Sequence, residues 1–193
     1  IEKGVVLHAA SGKRAGFGKF GRPKTPYDNF MESEGIPVFR DIGVSKVQNL
    51  PLAPWKRTGG RGSYIQLHGT EGKWGCYVIE VPGAGALNPE KHLYEEIYYV
   101  VEGRGTTEVW LDGDNKRHVF EWQKGSLFSI PVNAWHRIVN ASSAPAMLLA
   151  GILLALPNYF GESAALQLSR RDRAAFDTAT VSGISTLLKE AAV

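Results

Sequence analysis

Between Glu90 and Glu96 the chain reads "EKHLYEE", one imidazole and three carboxylates directly before the apolar run "IYYVV". Carboxylate and imidazole at such spacing are either ligands for a divalent cation or an acid and base for moving a proton. Side chains alternate faces along a strand. Glu90, His92 and Glu96 therefore share parity, and Tyr98 and Val100 continue that face. If the face closes a core, two carboxylates and an imidazole converge on the interior, where bare charge is costly and a divalent cation removes the cost. On a solvated edge the same charges would only blunt a strand against aggregation. A second stretch, "SIPVNAWHRIVN", supplies a further donor in His136, just past an expected hairpin turn at "PVNA". His136, Ile138 and Asn140 share one face there; Trp135, Arg137 and Val139 share the other.

Strands must carry these residues, and the sequence offers a succession of them. "SYIQLHG", "KWGCYVIEV", "EIYYVVEG", "GTTEVWLDG", "KRHVFEWQKG", "SLFSIPV", "WHRIVNAS" and "AMLLAGILLAL" are short, rich in β-branched and aromatic residues, and bounded by Gly, Pro, Asn or Asp. "LDGDNKRH" carries the Asp-Gly signal of a hairpin. So many evenly spaced strands without helical crossovers predict an all-β antiparallel sandwich or barrel over residues 61–157. Residues 1–60, rich in Gly, Pro and basic residues, read as an arm with little regular structure of its own. Its aromatics Phe17, Phe20, Tyr27, Phe30, Phe39 and Trp55 suit packing across a sheet or a neighbouring subunit. Residues 158–193 space apolar residues at three and four, as in "ESAALQLSRRDRAAF" and "GISTLLKEAA", and read as two short helices.

The two stretches resemble the signature motifs of the cupin superfamily. The first motif is written G-x5-H-x-H-x3,4-E-x6-G, and Gly85, His92, Glu96 and Gly103 fall in register, with Glu90 standing for the first histidine after four intervening residues. The second is G-x5-P-x-G-x2-H-x3-N; Gly125, Pro131, His136 and Asn140 match, with Asn133 at the glycine position. That exchange is mild, because Asn tolerates the left-handed turn best after Gly. The resemblance implies a double-stranded β-helix, or jelly-roll barrel, holding one divalent metal through Glu90, His92, Glu96 and His136.

His92, Glu96 and His136 alone form the two-histidine, one-carboxylate set of non-haem Fe(II) oxygenases. Glu90 is then a fourth ligand, or a catalytic general base beside the metal. Two carboxylates and two neutral imidazoles balance a divalent ion and shift preference towards Fe(II) or Mn(II), with Zn(II) and Ni(II) also accommodated. Three functions follow from the resemblance. One is an Fe(II) dioxygenase acting on a small aromatic or organic acid. A second is a non-redox isomerase, lyase or decarboxylase using Mn(II) or Zn(II). The third is a small-ligand binding module with a structural metal. A homo-oligomer, most simply a dimer, is expected of such a barrel.

Other residues carry weaker signals. His8, His68 and His118 have no ligand spacing; Trp110, Trp122 and Trp135 suit core or interface. Tyr98 by parity reaches the pocket, and Lys56, Arg57 or Arg61 in "WKRTGGRG" could clamp an anion, although a solvated turn is the plainer reading of that loop. The whole chain, 193 residues, holds 22 Lys and Arg against 19 Asp and Glu. The balance of +3 is too small to argue for a nucleic-acid partner. No apolar run approaches the ~20 residues of a membrane span, so no membrane partner is expected, and the start "IEKGVVLHAASGKR" lacks the pattern of a signal peptide. Cys76 is the one cysteine, which excludes an intrachain disulfide and fits a cytoplasmic setting.

Overall fold

The computed structural model describes residues 25–70 and 74–153. They contain one α-helix, α1 (Pro26–Ser33), and ten strands: β1 (Val38–Asp41), β2 (Ala53–Trp55), β3 (Gly60–Leu67), β4 (Trp74–Val81), β5 (Glu96–Glu102), β6 (Arg104–Trp110), β7 (His118–Gln123), β8 (Leu127–Ile130), β9 (Trp135–Asn140) and β10 (Ala146–Leu153). Seven strands form one sheet, in the order β1-β3-β4-β10-β5-β8 with β2 added on β3; β7-β6-β9 form a second. This is a jelly-roll-like β architecture. Every pairing is antiparallel except β1 with β3.

The period of two decides what each strand buries. On β5 Glu96, Tyr98 and Val100 are buried while Ile97 and Tyr99 are exposed; on β9 His136, Ile138 and Asn140 are buried. The inner faces of both sheets meet in one core that includes Tyr64, Tyr77, Tyr98, Val100, Trp122, Ile138 and Leu148. Some of its largest side chains are aromatic, with Trp55, Tyr64 and Tyr77 in edge-to-face contact at 5.1 to 6.2 Å.

The N-terminal stretch is more regular than its composition suggests. Thr25, Pro26 and Asp28 begin α1 with a capping box: Thr25 Oγ1 accepts from the Asp28 amide at 3.2 Å, and Asp28 accepts from the Thr25 amide at 2.7 Å. Tyr27 and Met31 of α1 enter the main core. Phe39, Val44, Val47, Leu50 and Leu52 cover the outer face of the large sheet around Ile65 and Val78. Residues 1–24 and the helices expected in 158–193 lie outside the described residues.

Two turns carry motif residues. The expected hairpin at "PVNA" is instead a corner: β8 pairs with β5 and β9 with β6, so the chain changes sheets between Ile130 and Trp135. Asn133 takes the left-handed conformation there, with φ of 63°, as its place in the motif anticipates. Gly103 (φ 97°) joins β5 to β6, and a Cβ on it would meet that of Ala146 at 2.5 Å.

Candidate metal centre

His92, Glu96 and His136 come together inside the barrel. One ligand atom from each lies within 4.8 Å of the others, and all three residues are buried. Their placement follows from the backbone. Glu96 opens β5 on its inner face, and His136 sits on the inner face of β9. The stretch between Glu90 and Glu96 is not the continuous strand that parity alone suggests. Glu90 makes an isolated bridge to His136, with amide-to-carbonyl distances of 3.0 and 2.8 Å in the two directions, and the chain turns before β5. His92 reaches the cluster from this turn, and its carbonyl accepts from the Asn133 amide at 2.8 Å, tying the two motifs together.

Neighbouring groups orient each donor. His92 Nδ1 donates to the Tyr94 carbonyl at 3.0 Å, and Nε2 faces Glu96 Oε2 at 2.8 Å. His136 Nε2 stands 3.8 Å from the same oxygen. The Tyr77 hydroxyl donates to Glu96 Oε1 at 2.5 Å. Since its single proton goes to the carboxylate, the Tyr98 hydroxyl, 2.7 Å away, donates to Tyr77. The Tyr94 ring stacks on His92 with centroids 3.9 Å apart.

The donor set fits a cation. With Nδ1 committed as donor to a carbonyl, a neutral His92 turns its Nε2 lone pair at a carboxylate oxygen, and two acceptors cannot face each other at 2.8 Å. Either a second proton or a cation must sit there. Electrostatics express the same need. Burial opposes charge on His92, but Glu96 lifts its pKa above the ordinary 6.5. Burial and the charge of His92 push His136 down to about 4. Burial opposes charge on Glu96 too, yet His92, His136 and Tyr77 bring it down to about 2.

Glu90, expected as a fourth ligand or a base, stands outside the close cluster. It lies opposite His136, but its Oε1 accepts from Arg57 Nη1. Arg57 Nε also donates to Glu34 Oε2 at 2.7 Å, and Trp55 Nε1 donates to that same oxygen. Burial raises the Glu90 pKa, and Arg57 opposes the rise. Arg57 is thus no solvated turn residue; it lies 4.8 Å from the Trp55 ring centroid and 5.6 Å from that of Phe30. Asn140 closes the second motif as a structural clamp: its Nδ2 donates to the Ala144 carbonyl at 2.8 Å and to that of Pro82 at 3.1 Å. His68 is exposed at the end of β3, away from the cluster.

Comparison with known proteins adds the following. Residues 77–152 match the family model described as a cupin domain. Uncharacterized protein MJ1618 of Methanocaldococcus jannaschii is 36% identical over 67 residues, which are 35% of this chain and 49% of that protein, so the chain spans about half the length of the curated relative it matches. Among solved structures, the formate complex of Lactobacillus farciminis oxalate decarboxylase is similar at 21% identity and a TM-score of 0.46, over 54% of this chain and 31% of that one. The Cnp3 cupin domain of Schizosaccharomyces pombe is similar at 14% identity and a TM-score of 0.45, over 56% of this chain and 71% of that one.

Proposed function

We propose that the protein is a mononuclear metalloenzyme, a non-haem Fe(II) dioxygenase acting on a small organic acid, in keeping with the match of residues 77–152 to the cupin domain model. The observation that carries this reading is the buried convergence of two imidazoles and one carboxylate within 4.8 Å. Two histidines and one carboxylate with positions left over is the donor set of Fe(II) oxygenases. His92, Glu96 and His136 would hold the ion. When bound, Fe(II) supplies the redox chemistry that couples dioxygen to oxidation of the substrate.

The chain's own residues do the rest. Tyr77, backed by Tyr98, fixes one oxygen of Glu96 and leaves the other to the two imidazoles. The Tyr94 carbonyl sets the His92 tautomer with its proton at Nδ1. The aromatic shell of Trp55, Tyr64, Tyr77 and Tyr98 keeps bulk water from the cluster. Glu90 is the proton carrier in this reading. It lies on the face of His136, and its pKa is raised by burial, while Arg57 anchors Oε1.

Oxygen uptake tests the proposal. Full-length chain reconstituted anaerobically with Fe(II) and then supplied with oxygen and a panel of small hydroxy, keto and phenolic acids should consume oxygen stoichiometrically with one acid class. Uptake with none, together with turnover of the same acids under Mn(II) or Zn(II) without oxygen, would replace the dioxygenase reading by a non-redox cupin enzyme in which Glu90 moves the proton.

A further inference from the structure

The two sheets present different outer faces. That of the β7-β6-β9 sheet is polar: Glu108 of β6 pairs with Arg117 and with Arg137 of β9, and the Arg117 guanidinium lies 4.3 Å from the Trp110 ring centroid. That of the large sheet is apolar across β4, β10, β5 and β8. Strand register sets Trp74 beside Leu153, Cys76 and Ile97 on either side of Gly151, and Tyr99 between Leu149 and Leu127. The chain itself covers one half of this face, with Phe39, Val44, Val47, Leu50 and Leu52 lying around Ile65 and Val78. On the other half Trp74, Ile97, Tyr99 and Leu127 remain 52%, 46%, 45% and 66% exposed. Large apolar side chains grouped on one sheet face are costly to leave in water and mark a surface that something covers.

The chain also supplies an occupant. β10 ends at Leu153, which pairs with Trp74, and the Leu153 amide donates to the Glu95 carbonyl at 3.1 Å. The chain therefore leaves the sheet at the border of the exposed half. Residues 154–193 follow, outside the described residues. Within them "VSGISTLLKEAA" spaces Val181, Ile184, Leu187, Leu188 and Ala191 along one side of a helix, with Thr186, Lys189 and Glu190 on the other. A helix this short does not hold in water alone; its apolar stripe needs a face to bury against. Neither the stripe nor the exposed half of the sheet carries a charge. A tether favours this occupant over a second copy. A segment joined at Leu153 meets the face at an effective concentration on the order of millimolar, above that of the protein itself in dilute solution.

We infer that residues 181–192 form an amphipathic helix that docks across Trp74, Ile97, Tyr99 and Leu127 on the outer face of the large sheet. Segments from before and after the barrel then share the covering of that face. Ile97 and Tyr99 alternate along β5 with Glu96 and Tyr98, so the docked helix braces the strand that presents Glu96 to the histidine cluster. The docking needs no metal and stands independently of the reaction proposed above.

Amide hydrogen exchange of the full-length chain, read by mass spectrometry on peptides from residues 181–193, tests the docking. In wild type these amides should exchange at least about tenfold more slowly than in the isolated peptide, and Tyr99→Glu or Leu127→Glu should abolish that protection. Leu127 is the more exposed position, so its variant keeps the test if Tyr99→Glu does not fold. Leu127→Glu and Leu188→Glu should each lower Tm, and the double variant should lower it little further than one of them alone, because both break the same contact. Peptide-like exchange in wild type, protection that survives in a folded sheet variant, or fully additive losses of Tm would overturn the docking. So would a dimer, seen by light scattering, that dissociates in Leu127→Glu but not in Leu188→Glu, since the face would then belong to a second copy.

Discussion

Two charged clusters sit close together in this barrel, and they solve the same problem in opposite ways. Arg57 carries its own counter-charges in Glu34 and Glu90, with Trp55 donating to Glu34. Every formal charge there meets an opposite one from the chain itself. Glu96, by contrast, faces only two imidazoles and a phenol, none of which is permanently charged. In the first cluster one cation from the chain serves both carboxylates. The second is balanced only by a proton or a cation, which makes it the place for chemistry. Sequence origin differs in step. The open cluster lies wholly in residues 77–152, the segment that matches the cupin model, whereas Arg57 and Glu34 come from before it.

The largest test of this contrast removes the open cluster's ligands. Glu96→Gln and His136→Ala should each lower metal affinity by more than about 100-fold, beyond what the loss of a supporting group costs, as read by competition with a chelator. Removing the first cluster's cation should do the reverse. Arg57→Met leaves Glu34 and Glu90 without their counter-ion and should cost on the order of 3 kcal/mol in a denaturant melt, with metal affinity within a few fold of wild type. An Arg57 variant that loses metal but not stability would merge the two clusters. Tyr77→Phe should have an intermediate effect, weakening metal about tenfold by releasing Oε1 of Glu96.

Acid separates the clusters by sign. In metal-free protein His136 resists protonation down to about 4, against an ordinary 6.5. The unfolded chain therefore gains a proton at His136 that the folded chain refuses, and stability falls as pH drops through that window. His92, its pKa raised by Glu96, acts with the opposite sign: it adds stability as pH falls towards 6.5 and adds no more once the unfolded chain is protonated as well. The stability from Glu96 is full above 4.5 and is lost as pH falls from there to about 2. Melts of stripped protein from pH 7 to 4 should show Tm decreasing by several degrees; a flat profile would contradict this account of the cluster.

How much of this was legible in the sequence depends on where each residue lies. Strand parity accounts for Glu96 and His136, because a period of two fixes the inner face wherever the strand is regular; His92 sits on the turn before β5, and only the motif spacing accounts for it. Glu90 lies opposite His136, on the face that parity expects, but an arginine 33 residues away pairs with its carboxylate, a contact that local spacing does not reveal. Tyr77 was invisible as a partner of Glu96: 19 residues separate them, and only the pairing of β4 and β5 with β10 brings both onto one inner face. Helix α1 did leave a signal. "TPYD" is a capping box with proline at the first helical position, set in glycine- and proline-rich sequence that suggests an irregular arm.

The most direct test of the account is the metal content of full-length chain loaded anaerobically with Fe(II) and washed with a weak chelator. One ion per wild-type chain, and none in Glu96→Gln or His136→Ala, is the predicted result. Stoichiometric metal retained in both variants, or none in the wild type, would contradict it.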